Sequence, residues 1–370
     1  MTRILIVIAL VLAAGVVHGQ QNCAQTLRLA NSSYDQGRLH ELPGLLKGCL
    51  TSSNGFSNAE KVTAYKLLVL SYIYLEEPAK ADSTMIELLN ADHFFEPNQS
   101  VDPAEFIGLY NTFRTKPIFS IGVKFGVNLT LPSVISNYYT GNNAAGKGTY
   151  SPSIGIQGGL SFEKKLFQRS KNDFLKRFTF APEVLYVARS FSYSNTLFTT
   201  DNPQVTSGIT PNDYTESQTW IGINPLLQYQ LRKDSRFNPY VMLGPGIDLL
   251  IGNSILATTT RGTTGSVASG PSIDVKNSYQ QLIYSVIAGA GAKYKIGGLY
   301  ATLELRYQYG LVNAINPAKR TNSELTFDYG GQFNDYSLNN LSVMGGVSVP
   351  IFKPQKLHKK KSPKTSKRKA

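Results

Sequence analysis

Four histidines stand in the chain, His18, His40, His93 and His358, and none of them falls between residues 117 and 352. Hydrolases that activate a hydroxyl or a water need an imidazole beside the reacting group, so this long stretch lacks the means for that chemistry. What its inward strand positions hold instead is acids and bases in equal number: Glu163, Glu183, Asp248 and Glu304 against Lys124, Arg189, Lys293 and Arg306. A mechanism run by carboxylates alone is conceivable. Balanced charge pointing into a confined interior favours mutual pairing, because buried charge needs a partner. His93 beside Asp92 and Glu96 is one imidazole among acids and makes a poor metal site. Gly244-Pro-Gly246 and Gly289-Ala-Gly291 lie within strands rather than ahead of a helix, so they are not phosphate loops. No catalytic, cofactor-binding or metal residue is expected, no cofactor, and no enzyme.

The side chains that carry these charges are positioned by strands. After Lys116-Pro117 apolar and polar residues alternate with period two in eight segments. The first sets Phe119, Ile121, Val123, Phe125, Val127 and Leu129 against Ser120, Lys124 and Asn128. The second sets Ile154, Ile156 and Leu160 against Gln157 and Glu163, and the third Phe178, Phe180, Val184 and Tyr186 against Glu183 and Arg189. Ile221, Ile223, Leu227 and Tyr229 oppose Asn224 and Gln228; Val241, Leu243, Ile247 and Leu249 oppose Asp248. Leu282, Tyr284 and Val286 oppose Ser285 and Lys293; Leu299 to Tyr309 oppose Glu304 and Arg306; Leu341 to Ile351 oppose Asn340, Ser342 and Ser348.

Long polar loops are expected at about 130–150, 192–214, 252–274 and 312–336, with short links at 166–175, 232–238 and 296–298. An even strand number with short turns at one end and long loops at the other is the layout of an outer-membrane barrel. A soluble sandwich is the alternative, with the apolar faces buried between two sheets. Such a barrel would bare on the order of a thousand Å² of apolar wall, far beyond what soluble surfaces carry, so lipid is its natural cover. The fold expected is an all-β transmembrane barrel of eight antiparallel strands.

Composition and the chain ends agree. Charged residues make up 16%, while Tyr (21) and Phe (18) abound. Arg3, the apolar run Ile4–Ala14 and Val17-His-Gly19 read as a secretory signal over residues 1–19. Of the net charge of +13, nine Lys/Arg and no acid lie in residues 353–370. That basic tail is expected to be disordered, either simply solvated or in contact with anionic headgroups. The body is nearly balanced and shows no nucleic-acid footprint.

Residues 20–116 read as a small helical region. A helix over 23–38, a second over 43–50, and a capping box Ser57-Asn-Ala-Glu60 opening a helix through Tyr74 are expected. Further helices start at Glu77-Pro78 and at Asp102-Pro103, with Asp102 as the cap. Ser33-Tyr34 echoed by Ser71-Tyr72 is similar to tetratricopeptide-type repeats, which offer a groove to a partner; a plain helical bundle is the other reading. Cys23 starts the first helix and Cys49 ends the second, so an antiparallel hairpin would bring them close, and they are candidates for a disulfide in an oxidising compartment.

With its Gly/aromatic strands Phe119–Asn128 and Leu299–Gly310, and a last strand ending in Val349-Pro-Ile-Phe352, the chain resembles the outer-membrane β-barrel proteins of Bacteroidetes, the PorT-like group in particular. Residues 117–352 carry the barrel resemblance. The resemblance implies the outer membrane, a role in envelope assembly, secretion or surface structure, and a periplasmic partner for residues 20–116. It also implies a periplasmic place for the helical region, and the even strand number with its short-turn side puts both chain ends, tail included, on that side. A small-solute channel or ligand-binding porin is the second reading.

Overall fold

The computed structural model describes residues 23–138, 148–168, 170–195, 212–232, 236–261, 266–323 and 332–357. The expected signal segment 1–19 and residues 358–370 of the basic tail lie outside these. The chain divides into two compact units, residues 118–351 and residues 1–117 with 352–370.

The larger unit is β-sheet. Its described strands are β1 (Phe119–Ser136), β2 (Thr149–Lys165), β3 (Phe178–Asn195), β4 (Asn212–Gln230), β5 (Phe237–Arg261), β6 (Ser266–Asp274), β7 (Leu282–Ile296), β8 (Leu299–Gly310) and β9 (Asp335–Ile351). All except β6 join in one antiparallel ring, β1 to β5, then β7 to β9, with β9 returning to β1. Register keeps like faces together: Val123 pairs with Leu160 on one side and with Val347 on the other. A closed ring has no free edge, so the strands' backbone groups meet a neighbour wherever the ladders run unbroken.

The direction of the faces settles what surrounds the ring. Phe125 is 67% exposed and Leu303 63%, whereas Glu304 and Arg306, on either side of the exposed Leu305, are 2% and 3% exposed. A water-soluble sheet would reverse this arrangement. The apolar outer wall and charged interior are those of a transmembrane barrel, as the alternation led one to expect, with an all-α region preceding it.

Two of the expected loops contain strand. The β3–β4 ladder extends to Asn195↔Asn212, into both ends of the stretch read as loop 192–214, whose residues 196–211 lie outside the described ones. Residues 252–274 form a hairpin instead of a loop: β5 continues to Arg261 and returns as β6, with Arg261↔Ser266 and Ser254↔Asp274 in register. The lumen beside these extensions is apolar. Phe191, Trp220, Ile255, Tyr279, Phe333 and Tyr336 pack there, fully or almost fully buried. Tyr279 and Ile315 bridge to each other, and Ala314 N donates to Tyr336 O, so segments folded inward complete that core.

The smaller unit is helical: α1 (residues 23–35), α2 (Leu42–Thr51), α3 (Asn58–Tyr74), α4 (Pro78–Ala91) and α5 (Ala104–Tyr110). α3 serves two cores, one with Ala30, Leu42 and Leu46, the other with Met85, Leu88 and Phe106. Cys23 and Cys49 are joined by a disulfide across α1 and α2, with Cα atoms 5.7 Å apart. Gly55 follows α2 so closely that a Cβ there would stand 1.9 Å from the Cys49 carbonyl oxygen, which only glycine allows.

Ser57 and Glu60 form the capping box of α3: Glu60 N donates to Ser57 Oγ (3.4 Å) and Ser57 N donates to Glu60 Oε2 (2.9 Å). The bond from the Ser57 backbone, then that from its hydroxyl, hold the Glu60 carboxyl below its ordinary value. Ser57→Ala should cost α3 about 1 kcal/mol and speed amide exchange over Ala59–Lys61 several-fold. A carboxyl depressed by folding stabilises above its unfolded pKa and loses that contribution as pH falls through its folded one. The wild-type advantage should therefore fade in acid.

Asp102 is not the cap of α5 that its position suggested. Pro103 takes that place without a side-chain bond. Asp102 turns inward, pairs with Lys66 and accepts from Asn98 N (2.8 Å); a cation within reach wins over the helix end. Residues 352–357 belong to this unit: Phe352 stacks on His93, Arg114 N donates to Gln355 O, Leu357 N to Thr112 O, and Lys356 pairs with Asp82.

Candidate functional site: the charged lumen

The residues expected to share the interior are all there. Lys124, Glu163, Glu183, Arg189, Asp248, Lys293, Glu304 and Arg306 are each buried, carried inward because each occupies the polar phase of its strand. They separate into three sets, ordered along β4 by a residue of that strand in or against each.

Beside Gln228, Lys293 Nζ lies 2.6 Å from Glu163 Oε2 and 2.9 Å from Gln228 Oε1, with its ammonium over the Tyr240 ring. Beside Asn224, four charges interlock. Lys124 Nζ reaches Glu183 (3.2 Å) and Glu304 (2.9 Å), and Arg306 pairs with both carboxylates. Asn224 Nδ2 donates to Glu183 Oε1 at 3.0 Å, and Tyr240 OH donates to Glu304. Beside Trp220, Arg189 Nη2 meets Asp248 Oδ2 at 2.8 Å, Gln308 Nε2 donates to the same oxygen at 2.7 Å, and the guanidinium lies over the indole.

Higher on β4 is a fourth group that the alternation did not reveal. Glu216 is fully buried, accepting from Gln218 Nε2 (2.6 Å), Asn253 Nδ2 (2.7 Å) and Tyr336 OH (3.3 Å). Tyr279 OH and Tyr336 OH are 2.6 Å apart. No Lys or Arg pairs with Glu216 among the described residues; its carboxyl is surrounded by neutral donors. The alternation puts Asn224, Gln228 and Gln308 on polar faces without assigning them partners and leaves Tyr240 out, since neutral polar residues give no sign of which partner they serve.

Long side chains fit because glycines face them. A Cβ on Gly346 would stand 2.9 Å from Lys124 Cγ, and one on Gly291 2.9 Å from Tyr240 Cζ. The interior of so narrow a ring is filled by its own side chains. Each carboxylate of the three lower sets faces a cation, and no serine or cysteine is set beside a general base in these sets. Among the described residues no group of three or more His, Cys, Asp and Glu could hold a metal.

Solved structures similar to this chain include Neisserial surface protein A, with 14% identity over 63% of this chain and 97% of that one, at a TM-score of 0.27. The outer membrane protein OprG of Pseudomonas aeruginosa shares 11% identity over 63% and 96%, at 0.29. The attachment invasion locus protein Ail of Yersinia pestis, solved with a heparin analogue, shares 11% over 62% and 97%, at 0.23. No curated protein matches. The family model described as "Outer membrane protein beta-barrel domain" matches residues 112–316, more than half of the chain. With that match, a lipid-facing apolar wall and a charged lumen, the chain belongs to the outer membrane β-barrel domain family and to the bacterial outer membrane.

Proposed function

We propose that this outer-membrane barrel is non-enzymatic and closed, and that it anchors a periplasmic interaction unit built from residues 20–116. The observation that carries the reading is the lumen: paired charges fill one part of it and a packed aromatic core fills another. A filled interior serves neither turnover nor passage, which leaves the barrel's hold on lipid and what is attached to it. The helical hairpins, similar to tetratricopeptide pairs, offer a surface to an envelope partner, in the service of envelope assembly, secretion or surface structure as in the PorT-like group. Both chain ends then lie on the periplasmic side, where the basic residues after Leu357 meet anionic headgroups.

The competing reading is a small-solute channel or ligand-binding porin. Planar-bilayer recording separates the two: the purified full chain should add no unitary conductance to the bilayer, and regular steps would establish the channel. For the interaction role, affinity capture from the cell envelope with the detergent-solubilised full chain should retain a protein that a chain lacking residues 20–116 does not.

A further inference from the structure

Three prolines stand side by side on the outer wall. Pro182 of β3 is in register with Pro225 of β4. The β4–β5 ladder pairs Ile223 with Ile247 and Leu227 with Leu243 but is interrupted between them, where Pro225 falls opposite Pro245. Opposed residues in antiparallel strands alternate between exchanging two N–H···O bonds and exchanging none. Pro225 pairs with Pro182 and Pro245 with Val286 without a break on their other edges. Each proline nitrogen of the Pro225–Pro245 pair is therefore aimed at the other, and neither carries a hydrogen.

Two ladder bonds are missing at one level, and the Pro225 and Pro245 carbonyls lose their donors. The β2–β3 ladder is interrupted at Pro182 too, between Ser161↔Glu183 and Lys164↔Phe180. Five residues above the end of β4, this level lies about 13 Å into an apolar band about 25 Å tall, close to mid-membrane. Carbonyls without donors are costly in hydrocarbon. On the lumen side Gly244 and Gly246 flank Pro245, with the buried side chains of Leu226 and Ile287 packed against them. Asn224, next to Pro225, keeps its Oδ1 buried without a hydrogen-bond partner.

We infer that the β4–β5 junction at Pro225–Pro245 is a lateral seam, the place in the wall where neighbouring strands part most readily while the rest of the ring stays closed. The inference is independent of the anchoring role, because a barrel with or without a periplasmic partner carries the same ladder.

Hydrogen-exchange mass spectrometry on the full chain in lipid nanodiscs tests it. Amides flanking the break (Ile223, Leu227, Leu243, Ile247) should exchange roughly tenfold faster or more than those of Val123 and Val343 in the β1–β9 ladder. The double variant P225V/P245V, which restores both donors, should bring the two ladders to similar protection. Equal protection in the wild type overturns the seam, and so does fast exchange that persists in a correctly inserted P225V/P245V. If the double variant does not insert, the wild-type comparison decides by itself.

Discussion

Arg306→Met should destabilise the barrel by about 3–5 kcal/mol, the loss found when one partner of a buried ion pair is removed. Arg306 holds both Glu183 and Glu304, whose side chains are 0% and 1% exposed. Without it Lys124 alone faces two carboxylates, and the charge left over cannot reach water. The chain has one tryptophan, Trp220, inside the ring, so denaturant unfolding followed by its fluorescence reads the loss directly. Coupling is the sharper check: R306M/E304Q removes one charge of each sign and should recover part of the stability. A single variant that costs nothing would mean these charges are hydrated and the lumen is open.

One residue earlier the expectation changes with the face. Leu305 is 55% exposed and looks outward, so Leu305→Arg puts a cation against hydrocarbon and should cost about 2–4 kcal/mol near the bilayer midplane. Leu305→Ala should cost far less, because lipid replaces the lost methyl groups. Both are read as unfolding midpoints in vesicles and as the fraction that inserts. If Leu305→Arg proves as mild as an ordinary surface change, the apolar wall does not face lipid.

How much of this was legible beforehand follows where lipid is. Within the apolar band one face must be greasy and the other polar, so Val123, Lys124 and Phe125 declare their directions without a structure. Past the band that contrast disappears. Ser190, Ser192 and Ser194 face one way on β3 and Phe191 and Tyr193 the other, an inversion in which the polar side meets water and the apolar side faces the lumen. Period-two reading tuned to a greasy exterior takes such a stretch for loop. The β5–β6 hairpin was missed for the same reason, and with it the setting of Glu216, whose partners Asn253, Tyr279 and Tyr336 come from segments distant in the chain. The eight lumen charges could be found because strand phase predicts direction. Their pairings could not, because which strand lies across the ring depends on closure.

Residues 352–357 impose an order on biosynthesis. The helices of residues 23–110 leave the ribosome long before the segment that pairs with Thr112 and Arg114 has been made. Until then Asp82 and His93 lack Lys356 and Phe352, so the helical unit is completed only by residues synthesised after the last strand.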